Sequence, residues 1–297
     1  MKRTLFSTLA VVALLALAAC GSSSTTADAC DTADNQTLAC TGSYKIAYTA
    51  DTTPTVGKST LTLTITDRAT GAAATGAAVD VTPWMRMETM EHGSVVDTVV
   101  DNGDGSYTAT VYYLMSSSMN GVSMGTWDLK VAVNGEEATF TPVDVSMAMG
   151  QTLRVSMKND ADQIAIMGVT QTRTYMLFEE SVTSAGMFKL VAAARQTLAL
   201  HPKIYAGVTL SDAAGAYWTV DTVTVQLSTD KTNWVTMTDA GTGHYAVSGL
   251  TGLTDGVAAE VYVKLSVNGA VYTTDGAAAN GANEYQTFTV IPGAMGM

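Results

Sequence analysis

Apolar and polar positions alternate with a period of two along much of this chain. Leu61, Leu63 and Ile65 are separated by threonines, Trp127, Leu129, Val131 and Val133 alternate with Asp128, Lys130 and Ala132, and Val261, Val263, Leu265 and Val267 repeat the pattern. Successive strand side chains point to opposite faces, so these runs predict β-strands with one buried and one wet face. Asn134-Gly135 and Asn268-Gly269 follow two of the runs. They predict tight hairpins, because both residues tolerate positive φ. No heptad or long amphipathic helical pattern competes.

The pattern occurs twice. Tyr44-Lys45-Ile46 matches Phe188-Lys189-Leu190, and residues 62–67 match 208–212. The turn from Asp101 to Tyr107 matches that from Asp239 to Tyr245, Lys130 to Gly135 matches Lys264 to Gly269, and Thr139-Phe140-Thr141 matches Thr287-Phe288-Thr289. Met147 and Met149 fall at the same offset on Met295 and Met297. Six ordered matches define two units, 44–149 and 188–297, each near the hundred residues of an immunoglobulin-like sandwich. The expected fold is all-β, two tandem immunoglobulin-like β-sandwiches. Tyr107 and Tyr245, each two residues after a glycine, fit tyrosine corners whose hydroxyls return to backbone. Residues 150–187 are too long for a bare connector, and 174–179 read as a strand able to pair with 187–193. Lys158 to Asp162 reads as an exposed turn. Asp101-Asn102-Gly103-Asp104-Gly105 is too short for a calcium loop and is read as a hairpin turn.

Charge and cysteine usage add an address. Lys2 and Arg3, an apolar stretch to Ala19, and Leu17-Ala18-Ala19-Cys20 resemble a bacterial lipoprotein signal. The resemblance implies a signal peptide at 1–19, removed to leave Cys20 acylated (the palmitate-type modification), and Gly21 after it implies sorting to the outer membrane. Residues 20–43 would then be a tether. The remaining chain carries 13 basic and 27 acidic side chains, a formal charge of −14. Such a field repels nucleic acid and anionic headgroups alike, so membrane attachment would rest on the lipid of Cys20. Cys30 and Cys40 remain as an even pair in an exported segment and are expected to form a disulfide, contributing about 3 kcal/mol in the chain-entropy model.

Candidate chemistry is sparse. With three histidines, no zinc-type spacing, no phosphate loop and no nucleophile elbow, the chain is read as a binding protein and not an enzyme. The sharpest cluster is Trp84-Met85-Arg86-Met87-Glu88-Thr89-Met90-Glu91-His92, with Met115, Met119 and Met124 near the next strand and hairpin. Thioether sulfur is soft and suits Cu(I), and imidazole serves either oxidation state of copper. Strand alternation puts Met85 and Met87 on one face, and a turn after Glu88 would return Met90 and His92 toward them.

The residues Pro83-x-Met85, Met90-Glu91-His92-Gly93, Gly105-Ser106-Tyr107 and Met124-Gly125-Thr126-Trp127-x-Leu129-x-Val131 resemble the YtkA-like or FixH-like domain, a small envelope β-sandwich. The resemblance spans about 55–135. It implies a Met/His patch at one end of the sandwich, linked in several relatives to copper handling or oxidase assembly. On that motif Met85, Met90, His92 and Met124 are candidate copper ligands, with Met87 added from local spacing. The competing reading has Met85 and Met87 packed inward and the chain acting as a structural or adhesive module that binds a surface protein or glycan without metal. Trp127 falls on an apolar face and reads as core, whereas Trp218 and Trp234 are free to be exposed.

Overall fold

The computed structural model describes Cys30 and residues 33–293; the signal at 1–19, Cys20, part of the tether and the Met295/Met297 pair lie outside the described residues. The described chain is built from antiparallel strands and turns, with no α-helix among the described residues. In the first unit, one sheet runs β1 (Leu38–Cys40), β2 (Tyr44–Ala50), β3 (Gly57–Asp67), β8 (Ser106–Tyr113) and β6 (Val95–Val96), with β7 (Val100–Asp101) also on β8. The other runs β12 (Glu136–Val143), β11 (Thr126–Val133), β4 (Val79–Arg86) and β5 (Glu91–Gly93). A two-residue ladder, β9 (Ser118–Met119) with β10 (Val122–Ser123), precedes β11.

Alternation becomes packing here. Leu61, Leu63 and Ile65 of β3 share one core with Trp127, Leu129, Val131 and Val133 of β11, together with Ile46, Met85, Tyr107 and Phe140. Each such aliphatic side chain contributes roughly 1.5–3 kcal/mol by leaving water. The Cys30–Cys40 disulfide ties the entering segment to β1.

The second unit repeats the plan. One sheet runs β13 (Arg154–Ile166), β14 (Val169–Val182), β15 (Phe188–Ala194), β21 (His244–Val247) and β20 (Thr238–Asp239). The other runs β19 (Val235–Thr236), β18 (Val223–Ser228), β22 (Ala259–Val267) and β23 (Ala270–Tyr272), with β24 (Gln286–Val290) also on β22. β16 (Thr209–Ser211) and β17 (Tyr217–Thr219) form a separate hairpin. Phe288 occupies in this core the place Phe140 holds in the other. Both Asn-Gly pairs take positive φ, and each asparagine side chain accepts backbone N–H groups from a neighbouring turn, Ala78 for Asn134 and Asp221 and Thr222 for Asn268. The tyrosine corners are present too: the Tyr107 hydroxyl donates to the Ala74 carbonyl (2.6 Å) and the Tyr245 hydroxyl to that of Ile204 (2.8 Å).

Residues 150–187 carry β13 and β14, a long hairpin that extends the second sandwich's sheet, and β14 pairs β15 from Tyr175↔Ala194 to Val182↔Phe188. Lys158 to Asp162 is not a free turn but a bulge within β13, where pairing jumps from Lys158↔Thr174 to Gln163↔Thr172. Its Asp162 is drawn inward by Arg173 and by the Tyr175 and Tyr272 hydroxyls.

The two sandwiches pack on each other. Val95, Tyr112 and Leu114 of the first form a buried cluster with Met176, Phe178, Val191 and Ala193 of the second. Around it, Tyr112 donates to Glu180 (2.8 Å), His244 lies 3.1 Å from both Asp97 and Glu180, and Lys203 pairs with Asp97. Burial pushes the neighbouring Glu179 carboxyl up to about 7; Glu180 adds to the shift and Lys58 opposes it. The acid is therefore easier to ionise in the unfolded chain than in the folded one. Its contribution is fully present below about pH 4.5 and is lost as pH rises through about 7. Glu179→Gln should leave stability near pH 4.5 unchanged and raise it at pH 8.5 by up to about 3 kcal/mol, measured by denaturant unfolding at both pH values.

Candidate metal centre

Local rules place the Met/His segment. β4 ends at Arg86, the Met87 amide donates to the Met90 carbonyl (3.0 Å), and the chain reverses into β5 in the register Trp84↔Gly93, Met85↔His92 and Arg86↔Glu91. On the other side of β4, Met85 pairs with Trp127. Directly opposite residues of an antiparallel pair share a face. His92, Met85 and Trp127 thus form one inward-facing row across three strands, and all three are buried.

The candidate ligands separate into two groups. Met85 is fully buried, and a Cβ on Gly125 would lie 2.8 Å from its Cε and 3.0 Å from Met87 Cγ. Glycine at this position lets both thioethers crowd the backbone. Met87 and Met124 line a surface cavity of about 440 Å³ with Arg86, Glu88, Thr89, Ser123 and Gly125, and Met90 is exposed on the turn. The Arg86 guanidinium does not put a free charge there: it grips Asp128 with both arms (2.6 and 2.8 Å).

His92 belongs to the second group, and its sulfur neighbour is Met115, just beyond β8. Nε2 lies 3.4 Å from Met115 Sδ, while Nδ1 lies 2.8 Å from the Gly93 carbonyl oxygen. A carbonyl only accepts, so Nδ1 carries the proton and donates it. Burial lowers the imidazole's affinity for a second proton, and the charges of Arg195 and Arg154 reinforce this against the opposing Gly93 contact. The ring is therefore neutral, and its Nε2 lone pair faces a thioether lone pair with no proton between them. Backbone anchoring of the remote N–H is the usual arrangement for a metal-binding histidine. An imidazole nitrogen and a sulfur bound to one ion at roughly 2.0 and 2.3 Å stand about 3.4 Å apart at a near-tetrahedral angle, so the pair fits a shared ion.

Trp127 holds this arrangement. Its Nε1–H donates to the Met115 carbonyl (2.9 Å), and its ring meets His92 (5.4 Å, T-shaped) and Tyr113 (5.0 Å, T-shaped). Among the described residues no group of three or more His, Cys, Asp or Glu side chains could hold a metal ion. Met115 stood out in the sequence only as a methionine near the next hairpin, and Trp127 only as core.

The family model of the YtkA-like domain matches residues 41–132, a span that includes Met85, Met87, Met90, His92, Met115 and Met124. Residues 41–132, most of the first sandwich, are thus similar to the YtkA-like domain. No curated protein matches the chain.

Proposed function

We propose that this chain is a lipid-anchored, non-enzymatic envelope protein whose first sandwich holds Cu(I) through imidazole and thioether groups. The observation that carries the reading is the contact of neutral His92 Nε2 with Met115 Sδ at 3.4 Å. At that distance the two groups are in contact, and both are soft or borderline donors of the kind Cu(I) prefers. Met85, Met87 and Met124 around Gly125, with Met90 at the rim, supply further thioethers along the same end of the sandwich. They provide a soft surface over which an ion can reach or leave the pair. Cys20 supplies the anchor, since the acidic body itself is repelled by anionic headgroups.

Competition with a chromogenic Cu(I) chelator tests the metal reading. The mature chain should bind near 1:1, His92→Ala or Met115→Leu should weaken binding at least about tenfold, and Met90→Leu should weaken it less. A mature chain that takes no Cu(I) from the chelator would overturn the reading in favour of a metal-free adhesive or structural module. For the anchor, a Cys20→Ser precursor should leave the membrane fraction and appear as soluble protein. Its persistence in membranes would show another means of attachment.

A further inference from the structure

Beside its apolar cluster, the seam between the sandwiches carries a charged one, and His244 stands at its centre. In β21, His244 pairs with Val191 of β15. Directly opposite residues share a face, and Val191 belongs to the buried seam cluster, so the register carries the imidazole toward the first sandwich. Lys203 lies against the same strand because Gly243 has no side chain: a Cβ there would stand 2.7 Å from the Lys203 Cβ.

Three groups touch the ring. Nδ1 lies 3.1 Å from Glu180 Oε2, and Nε2 lies 3.1 Å from both Asp97 Oδ2 and Lys203 Nζ. An ionised carboxylate only accepts and an ammonium only donates, so Nδ1 keeps its proton toward Glu180 in either charge state. Nε2 cannot satisfy both of its neighbours at once. Bare, it accepts from Lys203 and turns its lone pair on the Asp97 carboxylate; protonated, it donates to Asp97 and opposes the Lys203 ammonium. Lys203 also pairs with the other oxygen of Asp97, so it is not left without a partner when the ring is charged.

We propose that His244 is a proton-operated latch between the sandwiches: its charged ring bridges Asp97 of the first to Glu180 of the second, and its neutral ring lets go of Asp97.

Protonation of the ring adds a charge-assisted hydrogen bond across the seam. None of the His244, Asp97, Glu180 and Lys203 side chains is more than 24% exposed, so water screens these contacts only in part. The other charged and titratable groups around the ring come from both sandwiches. The Tyr112 hydroxyl donates to Glu180, and Lys58 of β3 lies 4.0 Å from it. Lys189, two residues before Val191 on the same face of β15, is exposed, while Asp239 of β20 stands opposite Tyr245 on the other face of β21. Glu179 acts in the same direction as the latch. Burial, with Glu180 adding and Lys58 opposing, pushes its carboxyl up to about 7, so an unfavourable charge enters the seam as the pH rises above neutral. Histidine is the side chain that changes charge between about pH 5 and 8, so the seam is tightest in mild acid and looser in mild alkali.

Nitrogen-15 NMR of the imidazoles in the metal-free mature chain tests the latch, with His244→Gln assigning the resonances. At about pH 8 the His244 proton should sit on Nδ1. Asp97→Asn should lower the pH at which the ring charges, and Lys203→Met should raise it. A double-mutant cycle of His244→Gln with Asp97→Asn, read by denaturant unfolding, should give a coupling of about fivefold in the folding equilibrium near pH 5.5 and none near pH 8. A neutral ring protonated on Nε2 in the unsubstituted chain would overturn the proposal. So would a titration that Asp97→Asn does not lower, or a coupling equal at the two pH values.

Discussion

Replacing Trp127 with alanine is expected to lower the unfolding free energy by about 3–5 kcal/mol, the range for emptying a large aromatic site in a close-packed core. Its side chain is the largest fully buried one in the chain, and it joins both sheets of the first sandwich to the Met115 backbone. Trp127→Phe separates packing from hydrogen bonding. The phenyl ring keeps most of the apolar contact but leaves the Met115 carbonyl without its indole donor, at a cost of about 1–3 kcal/mol. Since that hydrogen bond fixes where Met115 begins its approach to His92, the Phe variant should stay folded yet bind Cu(I) more weakly than its stability loss alone would suggest. Urea unfolding and chelator competition on the same samples check both parts; a Phe variant with unchanged Cu(I) affinity would show that the indole does not position the thioether.

The second large effect is expected at Arg173. Its guanidinium is fully buried, and it donates to Asp162 (3.0 Å), the Arg195 carbonyl (3.0 Å), Gln196 (2.8 Å) and the Ser211 carbonyl (2.5 Å). Arg173→Met keeps much of the volume but strands the Asp162 carboxylate with only the Tyr175 and Tyr272 hydroxyls (2.7 and 2.8 Å), and removes the guanidinium donors from two carbonyls, that of Ser211 keeping only a 3.3 Å contact from Gln196 Nε2. Breaking one side of a buried pair typically costs about 3–5 kcal/mol. The double variant Arg173→Met/Asp162→Asn should recover part of that loss, because no uncompensated charge remains. Thermal or denaturant unfolding of the two variants gives the answer, and a double variant no more stable than Arg173→Met would mean that the lost carbonyl contacts outweigh the stranded charge.

Much of this architecture is local and was legible along the chain. Alternation assigns β3, β11 and β22 and their buried faces, because the pleat gives neighbouring residues opposite sides whatever the strand packs on. Asn134-Gly135 and Asn268-Gly269 specify their hairpins through backbone conformations that few other residues adopt. Cys30 and Cys40, close in sequence, meet as a disulfide. The meeting of Met85 with His92 is also local, a consequence of one strand, one turn and one return strand.

The partners of those local pieces were not legible. Lys158 to Asp162 has the composition of an exposed turn, yet a guanidinium eleven residues from Asp162 pulls it inward, which no local propensity encodes. The candidate ligands looked like one cluster in the sequence, but the packing of the two sheets gives Met85, Met87 and Met124 to Gly125 and gives His92 to Met115. The sequence by itself determined the strands, the hairpins, the repeat, the disulfide and the neighbourhood of soft donors, since each depends on dihedral preferences and side-chain period over a few residues. Only the tertiary structure decided which sulfur faces the His92 lone pair and that the carbonyls of Leu198 and Ala199 lie against Gly93. Those contacts depend on which sheet faces meet and at what offset, and that is set jointly by the two buried cores and the seam between them.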